Sequence, residues 1–126
     1  MKKTVEEFTT INPVTIDLNS SLDEALKTMQ KEEIRHLLVT EESRLVGIIS
    51  ERDVLSNFGK KWSAPLRVKE IMNPDILFAQ TGDEISDVAF RLSKNKKGSA
   101  VILDASGTLY GIFTTTDALN ALVESN

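Results

Sequence analysis

The sequence predicts an α/β protein, or α+β by some schemes, in which one β-α-β-β-α unit occurs twice along a chain of 126 residues. Short β-branched runs alternate with amphipathic helical segments. A motif of glycine, a hydroxyl residue and aspartate recurs after about half the chain. A chain of this length corresponds to about one ordinary domain, so we expect the two copies to share one core.

The repeat is clearest at the end of each half. Segments Leu45–Leu55 and Leu109–Leu119 place glycine, isoleucine, a hydroxyl residue, aspartate and leucine in the same register, with a period of about 63 residues. Chance seldom aligns so many residue types. We therefore predict two homologous repeats, over residues 8–57 and 70–124.

Residues 58–69 join the two repeats, and we predict them to be a linker that is polar over Gly59–Pro65. It contains Pro65, which breaks helices, and it is too short to separate the repeats widely. Trp62 within this segment either packs under the loop or marks a surface for a partner. The sequence leaves both interpretations open.

The first repeat begins with a predicted strand over Val14–Asp17 and a predicted helix over Ser21–Glu32. The helix opens with a hydroxyl residue and has glutamate three positions later, and its apolar residues recur at helical spacing. Two further strands, Leu37–Val39 and Val46–Ile49, lead into a short helix over Glu51–Asn57. This order defines the β-α-β-β-α unit.

The second repeat follows the same order, with strands over Ile76–Ala79, Ala100–Leu103 and Leu109–Phe113 and helices over Glu84–Lys94 and Thr116–Ser125. Turn-forming residues between its last two strands predict a hairpin loop. Apolar residues on the inward faces of both repeats form the predicted core: Leu22, Met29, Leu38, Ile49, Val101 and Ile112.

Composition excludes several classes of function. The formal net charge is -4, so the surface lacks the excess of Lys and Arg with which proteins bind nucleic acid. With no cysteine and one histidine, there is neither a thiolate nucleophile nor a zinc site of the usual Cys/His kind. No apolar run approaches the roughly 18 residues of a membrane span. We expect a cytoplasmic protein without nucleic-acid or membrane partners.

Four sequence elements together resemble a known family. They are Pro13–Ile16, Ser21–Ala25, Ile34–Val39, and the motif Gly-Ile-x-Ser/Thr-x-x-Asp in both repeats. In their order, spacing and duplication they resemble a tandem pair of CBS domains (cystathionine-beta-synthase domains), called a Bateman module, over essentially the whole chain. The resemblance implies two pseudosymmetric repeats packed sheet to sheet in one compact module. It also implies two clefts that bind ATP, ADP, AMP, S-adenosylmethionine or related adenosyl ligands.

The Gly-x-x-Ser/Thr-x-x-Asp motif suits such a ligand on physical grounds. Its hydroxyl residue, Ser50 or Thr114, lies where a strand runs into a helix start, and free backbone N–H groups there favour an anion. Its aspartate, Asp53 or Asp117, can accept hydrogen bonds from two vicinal ribose hydroxyls. The same residues also satisfy the pattern of a helix capping box, so a purely structural role is the alternative.

The resemblance further implies how residues are distributed between the two clefts. One cleft combines Ile112, Thr114 and Asp117 with Thr10, Ile11, Arg35, His36 and Leu37. The other combines Ile48, Ser50 and Asp53 with Met72, Asn73, Ser99 and Ala100. Because Arg35 and His36 supply cationic charge to the Asp117 cleft, we expect phosphorylated ligands to prefer it. The alternatives for these two residues are a solvated surface charge and a half-buried ring.

The sequence carries no Walker loop, no Gly-x-Ser-x-Gly elbow and no His-Glu-x-x-His helix, so we expect neither catalysis nor a required cofactor. We interpret the chain as a regulatory module with an adenosyl effector, acting alone or in trans on an enzyme or transporter. The alternative is a structural dimerisation domain with vestigial clefts.

The short helices that follow the two aspartate motifs carry more apolar residues than one small helix usually buries. The resembled family commonly dimerises through such helices, so we predict a homodimer. These residues are Val54, Leu55, Leu119, Leu122 and Val123.

Overall fold

The structure, a computed structural model, describes residues 3–58 and 65–124 and confirms a mixed α/β fold with two repeats. The chain divides into two compact units, each with its own sheet and its own hydrophobic core, rather than the single shared core expected from the length of the chain. The first-repeat unit holds Val14–Asp75. The second-repeat unit holds the segment up to Pro13 and the chain from Ile76 onward.

A 3₁₀ turn at Val5–Glu7 precedes the helices and strands. These are, in chain order, β1 (Thr10–Ile11), β2 (Thr15–Asp17), α1 (Leu22–Glu32), β3 (His36–Glu41), β4 (Arg44–Ser50), α2 (Glu51–Leu55), α3 (Val68–Ile71), β5 (Phe78–Gln80), α4 (Ile85–Lys94), β6 (Ser99–Leu103), β7 (Leu109–Thr114) and α5 (Thr115–Glu124).

The sheet of the first-repeat unit has the strand order β2-β3-β4. β2 is parallel to β3, with α1 as the connection between them, and β3 forms an antiparallel hairpin with β4. One face of this sheet and the apolar face of α1 bury a common core, because side chains alternate along each strand. Its members are Ile16, Leu22, Ala25, Met29, Leu37, Val39, Ile49, Val54 and Val68.

The sheet of the second-repeat unit has the strand order β1-β7-β6-β5 and repeats the same arrangement with one added strand. β5 is parallel to β6, and β7 lies antiparallel between β6 and β1. Its core consists of Val5, Ala79, Val88, Leu92, Ala100, Ile102 and Phe113. All six residues that the sequence predicted as core are buried: Leu22, Met29, Leu38, Ile49, Val101 and Ile112.

The structure corrects some details of the sequence prediction. The strand predicted to begin at Ile76 begins at Phe78, where pairing with β6 starts. The first short helix ends at Leu55 rather than Asn57. Val54, expected among the surface apolar residues, is fully buried because its side of α2 faces the core. Trp62 and Ser125 lie outside the described residues.

Two helices end on a residue with left-handed backbone that is not glycine. Glu33 follows α1 with φ 57°, and Lys96 comes two residues after α4 with φ 53°. The N–H group of the residue after each donates back to the last turn of the helix, to the carbonyl oxygen of Met29 at 3.0 Å and of Leu92 at 2.9 Å. This is the bonding of a Schellman motif, in which glycine is the usual residue.

Replacement of either residue by glycine is therefore expected to stabilise the protein. Glu33→Gly and Lys96→Gly should each raise the free energy of unfolding by about 0.5–1 kcal/mol, since glycine adopts positive φ without steric cost. The gain should be larger at Glu33. Its carboxylate is repelled by the negative C-terminal end of the helix dipole, whereas the ammonium group of Lys96 is attracted to it, so only the lysine variant loses a favourable interaction. Urea denaturation measures both values. A destabilised variant, or a larger gain at Lys96, would contradict this explanation.

Candidate functional site

In the second-repeat unit the hydroxyl–aspartate motif spans the end of β7 and the first turn of α5. Thr114 is the last residue of β7. The Oδ2 atom of Asp117 accepts hydrogen bonds from the backbone N–H of Thr114 at 2.8 Å and from its Oγ1 at 3.0 Å. The backbone N–H of Asp117 donates to Thr114 Oγ1 at 3.3 Å. The hydroxyl and the carboxylate are thus held side by side at the helix start.

The first-repeat unit has the same arrangement at the junction of β4 and α2. The backbone N–H of Ser50 donates to Asp53 Oδ2 at 3.3 Å, and the backbone N–H of Asp53 donates to Ser50 Oγ at 3.1 Å. The hydrogen bond from the Ser50 N–H to the Asp53 carboxylate is longer than the equivalent bond from the Thr114 N–H to Asp117. The contact from the aspartate N–H to the hydroxyl oxygen is the shorter one in this unit, 3.1 Å against 3.3 Å.

Both motifs form the capping boxes that the structural interpretation requires. Capping occupies one carboxylate oxygen only, because no described residue donates a hydrogen bond to Oδ1 of Asp53 or of Asp117. Both aspartates are half-buried. A carboxylate oxygen carries two lone pairs, so each side chain can cap its helix and still accept hydrogen bonds from a ligand.

A two-residue strand lies beside the motif of the second-repeat unit. β1 is antiparallel to β7, with Thr10 paired to Ile112 and Ile11 paired to Gly111. Both β1 residues are exposed, Ile11 to 55%. The structure therefore brings two of the predicted ligand residues next to the strand that ends in Thr114.

The first-repeat unit has an equivalent edge. The N–H of Asn73 donates to the carbonyl oxygen of Ile48 at 2.8 Å, and the N–H of Ile48 donates to that of Asn73 at 3.0 Å. Met72 lies against Gly47, where an added Cβ would stand 2.7 Å from its Sδ atom. Two predicted ligand residues, Met72 and Asn73, thus lie beside a third, Ile48, on the strand that ends in Ser50.

The predicted cationic residues stand at the start of β3. His36 is paired with Ser50 across the hairpin. Arg35 is exposed, and its carbonyl oxygen accepts a hydrogen bond from the N–H of Glu51 at 2.8 Å. Both belong to the first-repeat unit, whereas Asp117 belongs to the second-repeat unit. Their assignment to the Asp117 cleft stays a prediction.

Three further predicted ligand residues are buried. Leu37 and Ala100 belong to the two cores and are at most 1% exposed, so only their backbone groups could reach a ligand. Ser99 is buried and paired with Thr114 in the second-repeat unit. Because Ser50 is in the other unit, the assignment of Ser99 and Ala100 to its cleft also stays a prediction.

Sequence reasoning missed the short segments that fasten these edges in place. Val5 and Val68 are fully buried, and their N–H groups donate to the carbonyl oxygens of Asp83 at 3.0 Å and Ser20 at 2.9 Å. Each valine is followed two positions later by a glutamate whose side chain accepts a backbone hydrogen bond of 2.7 Å. This Val-x-Glu pattern, repeated at the period of the fold, was the available signal.

Within residues 3–58 and 65–124, no group of three or more histidine and acidic side chains converges as a metal site. In the same part of the chain, no helix has both the length and the apolar character needed to cross a membrane.

The family model of the CBS domain matches the chain twice, over residues 5–60 and 68–124. The chain belongs to the CBS domain family. The CBS domain pair of protein MJ0100, in complex with 5′-methylthioadenosine and S-adenosyl-L-methionine, is 26% identical with a TM-score of 0.85 over 100% of both chains. CBSX2 in complex with AMP is 26% identical with a TM-score of 0.75 over 96% of both chains. The predicted resemblance to a CBS pair is confirmed.

Some relatives of these CBS repeats are parts of enzymes. An inosine-5′-monophosphate dehydrogenase of Nitrosopumilus maritimus is 32% identical over 110 residues, which are 86% of this chain and 22% of that enzyme. The chain spans less than half the length of this and of two further curated relatives. The similarity to the dehydrogenase therefore covers a minor part of that protein.

Proposed function

We propose that the chain is a regulatory module that binds an adenosine nucleotide or a related adenosyl ligand at its CBS repeats. The observation that carries the proposal is the aspartate of each motif, which caps a helix through Oδ2 while Oδ1 accepts no hydrogen bond from the described residues. Two proteins of the same fold support the ligand class, since one is complexed with 5′-methylthioadenosine and S-adenosyl-L-methionine and the other with AMP.

The motif residues have separate roles in this proposal. The Oδ1 atoms of Asp53 and Asp117 accept the ribose hydroxyls, which donate readily to a carboxylate. The hydroxyls of Ser50 and Thr114 face the phosphate or the polar tail, whereas the first N–H group of each adjoining helix, in Glu51 and Thr115, is already bonded to a carbonyl oxygen of its own unit. The exposed strand β1 lies beside the Asp117 motif, and the exposed Asn73 lies beside the Asp53 motif. In this proposal their backbone groups contact the ligand.

The two CBS repeats differ in the charge that they offer a ligand. Arg35 and His36 are at the start of β3, and the equivalent positions of the second repeat are Gly98 and Ser99. We infer that the cleft with Asp117 receives both cationic side chains and prefers phosphorylated ligands. The cleft with Asp53 is more neutral and suits an adenosyl group with few phosphates.

Substitutions of the aspartates test these roles. Asp117→Ala should weaken AMP binding by about 1–3 kcal/mol, or roughly 5- to 150-fold in Kd, because two ribose hydroxyls lose their acceptor. Asp117→Asn separates binding from capping, since its amide oxygen can still cap Thr114 while an NH2 group, which cannot accept a hydrogen bond, replaces the oxygen that the ribose needs, so AMP should bind more weakly here too. Isothermal titration calorimetry measures both Kd values.

Matched variants at the other motif and at Arg35 complete this test. Asp53→Ala should weaken AMP binding less than Asp117→Ala does, and Arg35→Ala should weaken AMP but spare S-adenosylmethionine, which lacks phosphate. If Asp53→Ala abolishes AMP binding while Asp117→Ala and Arg35→Ala bind normally, the assignment of the two clefts is reversed.

The proposed activity is regulation without catalysis. A ligand-bound CBS pair acts in this view on an enzyme or transporter, either in trans or within a longer protein, and the cytoplasm remains the predicted location. Sustained nucleotide turnover by the purified chain, lost in Asp117→Ala, would overturn the non-catalytic assignment.

We also propose a homodimer through α2 and α5, the two short helices that follow the aspartate motifs. Leu119, Leu122 and Val123 recur at helical spacing and are 61%, 62% and 70% exposed. Leu122→Asp should therefore give a monomer in multi-angle light scattering, because dimerisation would bury its charge. Asn120→Asp adds the same charge to α5 away from the centre of this stripe and should remain dimeric. A monomeric unmodified protein at micromolar concentration would refute the interface.

A further inference from the structure

Residues Lys3–Ile11 form a strap that completes the second-repeat unit, although most of that unit lies more than half the chain away in sequence. Val5 is fully buried in the core of the unit. The carbonyl oxygen of Lys3 accepts a hydrogen bond of 3.0 Å from the N–H of Ile85, the first residue of α4. At its other end the strap becomes β1, which pairs with β7 over two residues.

A carboxylate adds one more attachment. Glu6 Oε1 accepts a hydrogen bond of 2.9 Å from the backbone N–H of Gly82, in the turn between β5 and α4. This bond holds the pKa of the Glu6 carboxyl below its ordinary value, so the docked strap favours the ionised side chain. The equivalent position in the first-repeat unit is Lys69, which has no carboxylate to offer. The attachment through Glu6 therefore belongs to this strap alone.

The strap makes fewer buried contacts and a shorter strand pairing than β6 and β7 make with each other. One fully buried side chain (Val5), one partly buried side chain packed on the core (Phe8), a few hydrogen bonds and a two-residue strand hold it, whereas β6 and β7 pair over five positions and are largely buried. Segments with few buried apolar contacts and short pairing open locally at lower free energy than the core of a unit. The strap is thus expected to undock while the rest of the second-repeat unit stays folded.

We propose that the strap is a lid on the Asp117 site, whose docking and the binding of an adenosyl ligand are coupled. This inference rests on the proposed function. Thr10 and Ile11 stand beside Ile112 only when the strap is docked, so the undocked unit lacks one wall of the site. A ligand that contacts this wall binds the docked state more tightly and shifts the population toward it.

Amide hydrogen exchange reports the docking directly. The N–H groups of Val5 and Ile85 are hydrogen bonded across the strap contact, to Asp83 and Lys3, and become exposed when the strap leaves. AMP at about 100 times its Kd should slow exchange at both amides by up to about 100-fold, because the open state cannot bind. The N–H of Gly107, bonded to Asp104 within a hairpin turn, should be unaffected.

Glu6→Ala removes one attachment without disturbing the core. It should speed exchange at Val5 and Ile85 about fivefold in the absence of ligand, and AMP at about 100 times its Kd should slow that exchange by the same factor as in the unmodified protein, because the docked state still predominates in both. Lys69→Ala changes the equivalent position of the other repeat and should alter neither value by more than about twofold. The same measurements with S-adenosylmethionine cover a ligand without phosphate.

The outcomes separate this inference from the proposed function. Binding of AMP or S-adenosylmethionine with unchanged exchange at Val5 and Ile85 would leave the proposed function standing and overturn the coupled lid. Faster exchange in the Glu6→Ala protein that bound AMP does not slow would do the same. If neither compound binds, the proposed function and the coupling are both wrong.

Discussion

Gly111→Ala is expected to lower the free energy of unfolding by about 2–3 kcal/mol, because β1 approaches this position too closely for a side chain. A Cβ here would overlap the carbonyl oxygen of Thr10, lie 3.0 Å from its carbonyl carbon and stand 2.6 Å from Thr9 Cγ2. The first two are backbone atoms of the paired strand, so relief requires β1 itself to move. Urea denaturation followed by circular dichroism measures the loss.

Gly47→Ala is the matched control in the other repeat. Its Cβ would meet Met72, with Sδ at 2.7 Å and Cγ at 3.1 Å, and the carbonyl oxygen of Asn73 at 3.2 Å. The thioether is the flexible end of a side chain and can rotate away, so the loss should stay below about 1 kcal/mol. If both variants lost the same free energy of unfolding, the close approach of β1 would not be the reason that position 111 requires glycine.

Phe113→Ala is expected to destabilise the protein by about 3–5 kcal/mol, the range for loss of a fully buried aromatic ring. Phe113 is completely buried and is the largest of the fully buried side chains. It lies in the core of the second-repeat unit, where it pairs with Ala100 across the sheet. The small partner cannot fill the space that the ring leaves, so a cavity should persist.

Phe90→Ala is the control for this variant, since Phe90 is a phenylalanine of the same unit that is 65% exposed. Its removal should change the free energy of unfolding by no more than about 0.5 kcal/mol. Equilibrium denaturation of both variants under one set of conditions gives the comparison. A Phe113→Ala protein within 1 kcal/mol of the unmodified one would contradict the description of this core.

The longer elements were predictable because their signals are local. Helices α1 and α4 begin one residue after Ser21 and Glu84, where the sequence predicted their starts, since apolar spacing and capping residues are properties of the helix itself. The aspartate motif was equally visible because it occurs twice. Fold class, repeat number and the candidate site residues on β4 and β7 all followed from such patterns.

The short segments were not predictable in the same way. β1 has two residues and α3 has four, too few to show a period. β1 exists because Thr10 and Ile11 pair with a strand about 100 residues later in the sequence, and that partner cannot be read from the segment. The strap carries the repeated Val-x-Glu pattern, but nothing in its own sequence indicates the hydrogen bond between Glu6 and Gly82.

Thermal unfolding of the unmodified protein with adenosyl compounds tests the central claim most directly. AMP, ATP and S-adenosylmethionine are each added to millimolar concentration, and the Tm is compared with that of the free protein. At about 100 times its Kd, a ligand of the folded state should add roughly 2.7 kcal/mol, which raises Tm by several degrees. We expect such a rise with at least one of the three compounds. An unchanged Tm with all of them would contradict nucleotide sensing and favour a structural dimerisation domain.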